Sequence, residues 1–138
     1  PALWLWQADP MGSRFSELIV DGRDLHRLAE FWCEVLGYRI LEEKAEWIEI
    51  GDHELTPEEA RAGPVTPTIV FVPVPEAKSE KNRVHIDVNP VDHTQEEEVQ
   101  RLEALGAKRI DIGQGDVSWV VMADPEGNEF CVLRSLKP

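Results

Sequence analysis

The sequence predicts an α+β fold: two βαβββ modules forming a curved, mostly antiparallel sheet around a cleft, with the helices outside. Three observations predict it. The order strand, amphipathic helix, three strands occurs twice, and both helices end in the same dipeptide, Leu36-Gly37 and Leu105-Gly106. Each helix is preceded by a side chain suited to cap it, Asp24 in the first case and Thr94 in the second. The chain then closes on Asp124-Pro125-Glu126-Gly127-Asn128-Glu129-Phe130, turn chemistry between two apolar segments. A repeated unit that cannot bury its own sheet must pack against its copy. On this reading residues 1–14 are an N-terminal arm. Residues 15–138 are a single domain, with module one at 15–75 and module two at 81–136.

The first strand is the apolar-rich segment Phe15 to Val20. After Asp24, the residues Leu25, Leu28, Phe31, Trp32, Val35 and Leu36 recur at spacings of three and four, which makes one apolar stripe on a helix. Gly37 ends that helix. Tyr38 to Leu41 and Trp47 to Ile50 read as two strands joined by a polar turn. Gly51 to Pro67 holds Pro57, Gly63, Pro64 and Pro67 and reads as a long loop with a helical turn at Pro57 to Ala62. Thr68 to Val72 is β-branched and closes the first module, ahead of Pro73 and Pro75. The second module opens with the alternating strand Val84 to Val88. Its helix carries Val99, Leu102 and Leu105 and ends at Gly106. The strands Lys108 to Ile112, Val117 to Met122 and Glu129 to Leu133 complete it.

Composition narrows the classes of partner. The 138 residues carry 27 acidic against 14 basic side chains, a formal charge of −13. That balance argues against a nucleic-acid backbone or an anionic membrane surface. No apolar run reaches the ~18 residues of a membrane span. Two cysteines, Cys33 and Cys131, make no disulfide framework, and the expected location is the reducing cytoplasm. Trp4 and Trp6 lie in a segment without the basic start or cleavage site of a secretory signal.

Three stretches carry a family resemblance: DLHRLAEFWCEVLGY at 24–38, KNRVHID at 81–87 and DPEGNEF at 124–130. In this order, and with the repeat, they resemble the glyoxalase/bleomycin resistance/dioxygenase group, the vicinal oxygen chelate superfamily, and specifically its glyoxalase-like domain proteins. The resemblance implies four inward-facing ligand positions, on the first and last strand of each module. It also implies a divalent metal ion acting as a Lewis acid on two vicinal substrate oxygens. Homodimers are common in similar proteins, and a homodimer is expected here on that ground.

Carried over by spacing, the four positions fall unevenly. The first is Glu17, seven residues before Asp24; it is an oxygen ligand or pocket acid, or else a solvated strand end. The second falls within Thr68 to Val72, which offers no carboxylate, amide or imidazole. The third is His85, which alternates with Val84 and Ile86 and so shares a face with Asp87. The fourth is Cys131, seven residues after Asp124, read as a zinc ligand or as an inert buried thiol. Glu17 and His85 are thus candidate catalytic residues, as acid/base groups or partial metal ligands, and Glu17, His85 and Cys131 are the candidate metal ligands. Trp47, Phe71 and Trp119 are candidate pocket walls, or plain core. The basic cluster from Lys78 to Arg83 either binds an anion or, through Asn82 and Arg83, ties the linker between modules to the fold.

The expected function is therefore small-molecule binding of the vicinal oxygen chelate type without a complete metal site. The alternative is a lyase, isomerase or dioxygenase-like enzyme acting on a small oxygenated metabolite, with Glu17 and His85 doing acid/base or metal-assisted work. No cofactor is certain; a divalent metal ion is the possible one.

Overall fold

The computed structural model describes residues 12–134. Most of the expected arm at residues 1–14, with Trp4 and Trp6, and the last residues of module two lie outside the described residues. Within them the order is β1 (Glu17–Gly22), α1 (Leu25–Leu36), β2 (Arg39–Glu43), β3 (Ile48–Gly51), α2 (Pro57–Ala62), β4 (Thr68–Pro73), β5 (Ile86–Val88), α3 (Gln95–Ala104), β6 (Lys108–Arg109), β7 (Val120–Ala123) and β8 (Glu129–Val132). Each module makes its own four-stranded sheet, in the orders β1-β4-β3-β2 and β5-β8-β7-β6. In both, the first and last strands of the module pair in parallel and the other pairings are antiparallel.

Local chemistry explains the helices. The Asp24 carboxylate accepts from the Arg27 N–H at 3.2 Å, and Gly37 terminates α1 at φ 68°, a left-handed conformation that glycine adopts without a Cβ clash. Thr94 and Glu97 cap α3 reciprocally, hydroxyl to the Glu97 N–H and carboxylate to the Thr94 N–H. Thr56 and Glu59 repeat the device on the short α2.

Three strands are shorter than their apolar stretches predict. Register puts Ile86 opposite Phe130, so Val84 falls against the turn at Asn128 and finds no ladder partner. Beyond Arg109 the Asp111 carboxylate accepts from the Gly113 N–H at 2.8 Å, an Asx turn that ends β6 well before Ile112. β7 consequently starts at Val120 rather than Val117.

One apolar core serves both modules. Leu28, Phe31 and Trp32 of α1, Ile48, Ile50, Ile69 and Phe71 of the first sheet, Val99 and Leu102 of α3, and Met122 and Phe130 of the second sheet are all buried in it. Trp32 and Phe130 meet with ring centroids 5.1 Å apart at an interplanar angle of 67°, an edge-to-face contact across the module boundary.

Polar bonds fix the same boundary. Asp124, only 4% exposed, accepts from the Trp32 indole N–H at 3.0 Å. It also accepts from the backbone N–H groups of Glu126 and Asn128, both at 2.9 Å, and from the Asn128 amide. Burial still pushes its carboxyl above the ordinary range, against the pull of those donors. Two residues on, the Glu126 carboxylate takes the N–H groups of Arg23 and Asp24 at 3.0 and 2.9 Å, just ahead of α1. At the far end of that helix, Arg101 of α3 donates to the Glu34 carbonyl at 3.1 Å while its guanidinium holds the buried Glu98.

Asp124→Ala should destabilise the protein by about 3–5 kcal/mol in urea unfolding, since it strands several buried donors at once. Trp32→Phe should cost about 1–3 kcal/mol, and the double variant less than the sum of the two. Strict additivity would show that the indole–carboxylate bond does not couple the modules.

Candidate functional site

A cavity of about 450 Å³ lies between β1 and the segment that runs into β5. Its floor is apolar: Leu18 and Val20 of β1, Ile69 and Phe71 of β4, Trp32 of α1 and Phe130 of β8. Its rim is polar and comes from Asp21, from Glu76, Lys78, Asn82, Arg83 and His85 of the inter-module segment, and from the hairpin at 124–129. β1 meets the cavity along its edge, with Leu18 and Val20 half-buried and Ile19 and Asp21 exposed in alternation.

Most rim charges are already engaged. Glu129, 7% exposed, accepts from the Lys78 ammonium at 2.9 Å and from the Asn82 N–H at 3.1 Å. Burial opposes its charge, but Lys78 and the backbone donors win and hold its carboxyl below the ordinary range. The Asn82 amide donates to the Asn128 side-chain carbonyl at 3.0 Å. Asn82 and Lys78 thus tie the linker to the fold, as one reading of the basic cluster expects. Arg83, the other expected tie, has no hydrogen bond or ion pair among the described residues and stays exposed at the rim.

Beside the cavity, on the face of the second sheet away from Phe130, three ligand-type side chains converge. His85, Asp87 and Cys131 place one donor atom each within 4.8 Å of one another. Strand register produces the cluster: His85 and Asp87 are two apart on one face, and Asp87 pairs directly with Cys131. The His85 Nε2 lies 3.1 Å from the Asp87 carboxylate. Cys131 is buried, and burial together with that carboxylate, which also takes the thiol's hydrogen bond, pushes the thiol up. It is held as S–H at neutral pH.

The predicted residues separate on this geometry. His85 and Cys131 come together, and His85 also lines the cavity. Glu17 stands exposed at the start of β1 in register with Thr68, outside the cluster and outside the cavity lining. The Thr68 hydroxyl donates to Glu49 at 2.8 Å. Of the three aromatic candidates, Phe71 forms part of the floor. Trp47 does not: it sits at the β2–β3 turn, where its indole donates to Glu42 at 3.2 Å and Lys44 rests 4.6 Å from the ring centroid. Trp119 precedes β7, 41% exposed, and is likewise not in the lining. Asp87 and Trp32 are site residues that the sequence reading did not select. The i, i+2 spacing from His85 is the signal for Asp87; nothing local separates Trp32 from ordinary core.

The donor set bears on any metal. Imidazole, carboxylate and thiol form a nitrogen–oxygen–sulfur group that suits zinc better than a hard, oxygen-seeking ion. The described part of β4 adds no such donor, so the four-position set implied by the resemblance is not assembled here.

Comparison with known proteins agrees with this architecture. Residues 17–133 match the family model described as glyoxalase-like domain. Among solved structures, a glyoxalase/bleomycin resistance protein/dioxygenase family enzyme from Burkholderia phytofirmans superposes with a TM-score of 0.59 at 19% identity, covering 87% of this chain and 97% of that one. A fosfomycin resistance protein, FosX, from Listeria monocytogenes, complexed with Mn(II) and 1S,2S-dihydroxypropylphosphonic acid, gives 0.61 at 15% identity, with 91% and 93% covered. The trypanothione-dependent glyoxalase I of Leishmania major gives 0.57 at 15%, with 89% and 87% covered. No curated protein matches the chain by sequence. No helix among the described residues is long and apolar enough to cross a membrane.

The protonated state of Cys131 is open to measurement. Iodoacetamide should modify it slowly at pH 7 and faster as pH rises and thiolate forms. Asp87→Asn should speed the reaction at pH 8 by roughly threefold or more, by removing the adjacent negative charge. An unchanged rate, read by mass spectrometry against Cys33 in the same sample, would show that the carboxylate does not govern the thiol.

Proposed function

This chain belongs to the glyoxalase-like domain family, and we propose that it binds a small organic molecule in the cavity between its modules, without a complete four-ligand metal site. The supporting observation is the cavity itself. Its volume of about 450 Å³ lies within the ~300–1,000 Å³ usual for small-molecule sites, and it joins an apolar floor to a polar rim. Leu18, Val20 and Ile86, half-buried against the core of Trp32, Phe71 and Phe130, supply apolar surface, and Arg83 and His85 supply polar groups at the rim. Binding needs no more than this. The two thiols suit a cytoplasmic setting, and a homodimer is proposed from the family likeness alone.

Indole offers a simple probe. It should shift the side-chain resonances of Trp32 and Phe71 in a saturable way, and Val74→Trp, which fills the cavity from the linker, should abolish the effect without unfolding the chain. Persistence of saturable binding in that variant would place the ligand elsewhere and remove the proposal.

A second reading is supported by the cluster at His85, Asp87 and Cys131: a metal-assisted lyase, isomerase or dioxygenase-like enzyme acting on a small oxygenated metabolite. In it these three side chains hold a zinc-type ion, which supplies Lewis acidity at a substrate oxygen. His85 also serves as an acid/base group at the cavity edge, and Glu17 does so only after a movement that brings it to the cluster.

Zinc present at a hundredfold excess over its dissociation constant should stabilise the fold by about 2.7 kcal/mol, visible as a raised thermal midpoint. Cys131→Ser and His85→Ala should each erase most of that rise. No shift with zinc, nickel, iron or manganese would leave the binding reading alone.

A further inference from the structure

The two strands that bank the cavity carry backbone groups that no other described strand takes up. Among the described residues β1 is hydrogen bonded only to β4, and β5 only to β8. Along a strand, successive residues turn their N–H and C=O alternately to the two sides. The Thr68 N–H donates to the Ser16 carbonyl and the Val74 N–H to the Gly22 carbonyl, so Ser16, Leu18, Val20 and Gly22 face β4. Ile19 and Asp21 therefore present their peptide groups to the opposite side. On the other bank the Leu133 N–H donates to the Val88 carbonyl, which turns Ile86 and Val88 toward β8 and His85 away from it. Ile19, Asp21 and His85 all line the cavity. Among the described residues nothing is bonded to the peptide groups of Ile19 and Asp21.

We infer that the cavity is built for a short, extended, amide-bearing molecule, a peptide or peptide-like compound that pairs with the open edge of β1. The inference rests on the cavity reading above and narrows its ligand. An open strand edge offers donors and acceptors alternately, at a spacing only another amide chain repeats. A purely anionic ligand answers the N–H groups and leaves the carbonyls; an apolar one answers neither. The stretch from Ile19 to Asp21 rises about 7 Å, enough for two amides of a ligand in register. A side chain of that ligand meets the floor at the half-buried Leu18 and Val20, and the His85 peptide group faces it from the opposite bank. An exposed edge of this kind ordinarily invites pairing with another protein's sheet. Here the inter-module linker, from Val74 to Arg83, lines the same cavity and restricts the edge to small molecules.

The test uses the whole chain and two probes, acetyl-trialanine N-methylamide and the same compound with every amide nitrogen methylated, followed by amide NMR. The first should shift the Ile19, Asp21 and His85 resonances saturably, and the methylated form should bind at least about fivefold more weakly, the loss of one amide bond. Ile19→Pro removes a seam-facing N–H without touching the ladder to β4; it should weaken the tripeptide by a similar factor. Equal affinity for the two probes, or shifts confined to residues away from the seam, overturns the inference whether or not the proline variant folds. Indole bound without any tripeptide bound also overturns it and leaves the cavity reading standing. Neither bound overturns both.

Discussion

The structure depends on one buried carboxylate. Asp124 is shielded from water at the junction of the two modules, where an unpaired charge would cost several kcal/mol. Its cost is offset only if every donor around it stays in place: the Trp32 indole, the Glu126 and Asn128 backbones and the Asn128 amide. Those donors belong to different parts of the chain. Satisfying Asp124 therefore holds α1 of module one against the last hairpin of module two. The aromatic contact of Trp32 with Phe130 and the bonds of Glu126 ahead of α1 follow from the same placement. The cavity exists because this corner is fixed while the strand edges beside it are left apart.

The hairpin motif that marks the family is thereby largely accounted for by architecture. Asp124 meets Trp32, Glu126 meets the chain before α1, Asn128 meets Asn82, and Glu129 meets Lys78 and the Asn82 backbone. Four polar side chains in six residues are each committed to holding another segment. What remains free for chemistry is small by comparison: His85, Asp87 and Cys131 on the open face, and Arg83 on the rim.

Much of the fold was legible because its signals are local. The stripe from Leu25 to Leu36, the caps at Asp24 and Thr94 and the glycines at 37 and 106 each state their structure within a few residues. The ends of Val84–Val88, Lys108–Ile112 and Val117–Met122 were not legible, because a strand extends only as far as its partner, and apolar side chains alone cannot announce a turn at Asn128 or Asp111. The site was legible in part. His85 and Cys131 follow from spacing and do converge, whereas the place of Asp87 depends on a register between strands more than forty residues apart. Phe71 reached the floor and Trp47 and Trp119 did not, a distinction set by which strand faces the junction rather than by residue type.

Pairing the first strand of each module with its last has a consequence for how the chain acquires its shape. β1 at Glu17 waits for β4 at Thr68, and β5 at Ile86 waits for β8 at Phe130, so neither sheet closes until its module is complete. Contacts of such long sequence separation must be formed against a large loss of chain freedom before they repay it, which slows folding. During synthesis module one can assemble first, but Trp32 then sits without its carboxylate until the final hairpin emerges. The hairpin that closes the second module is thus what locks the first helix, and a chain interrupted before Asp124 is left with an indole N–H and an aromatic face that have lost these partners.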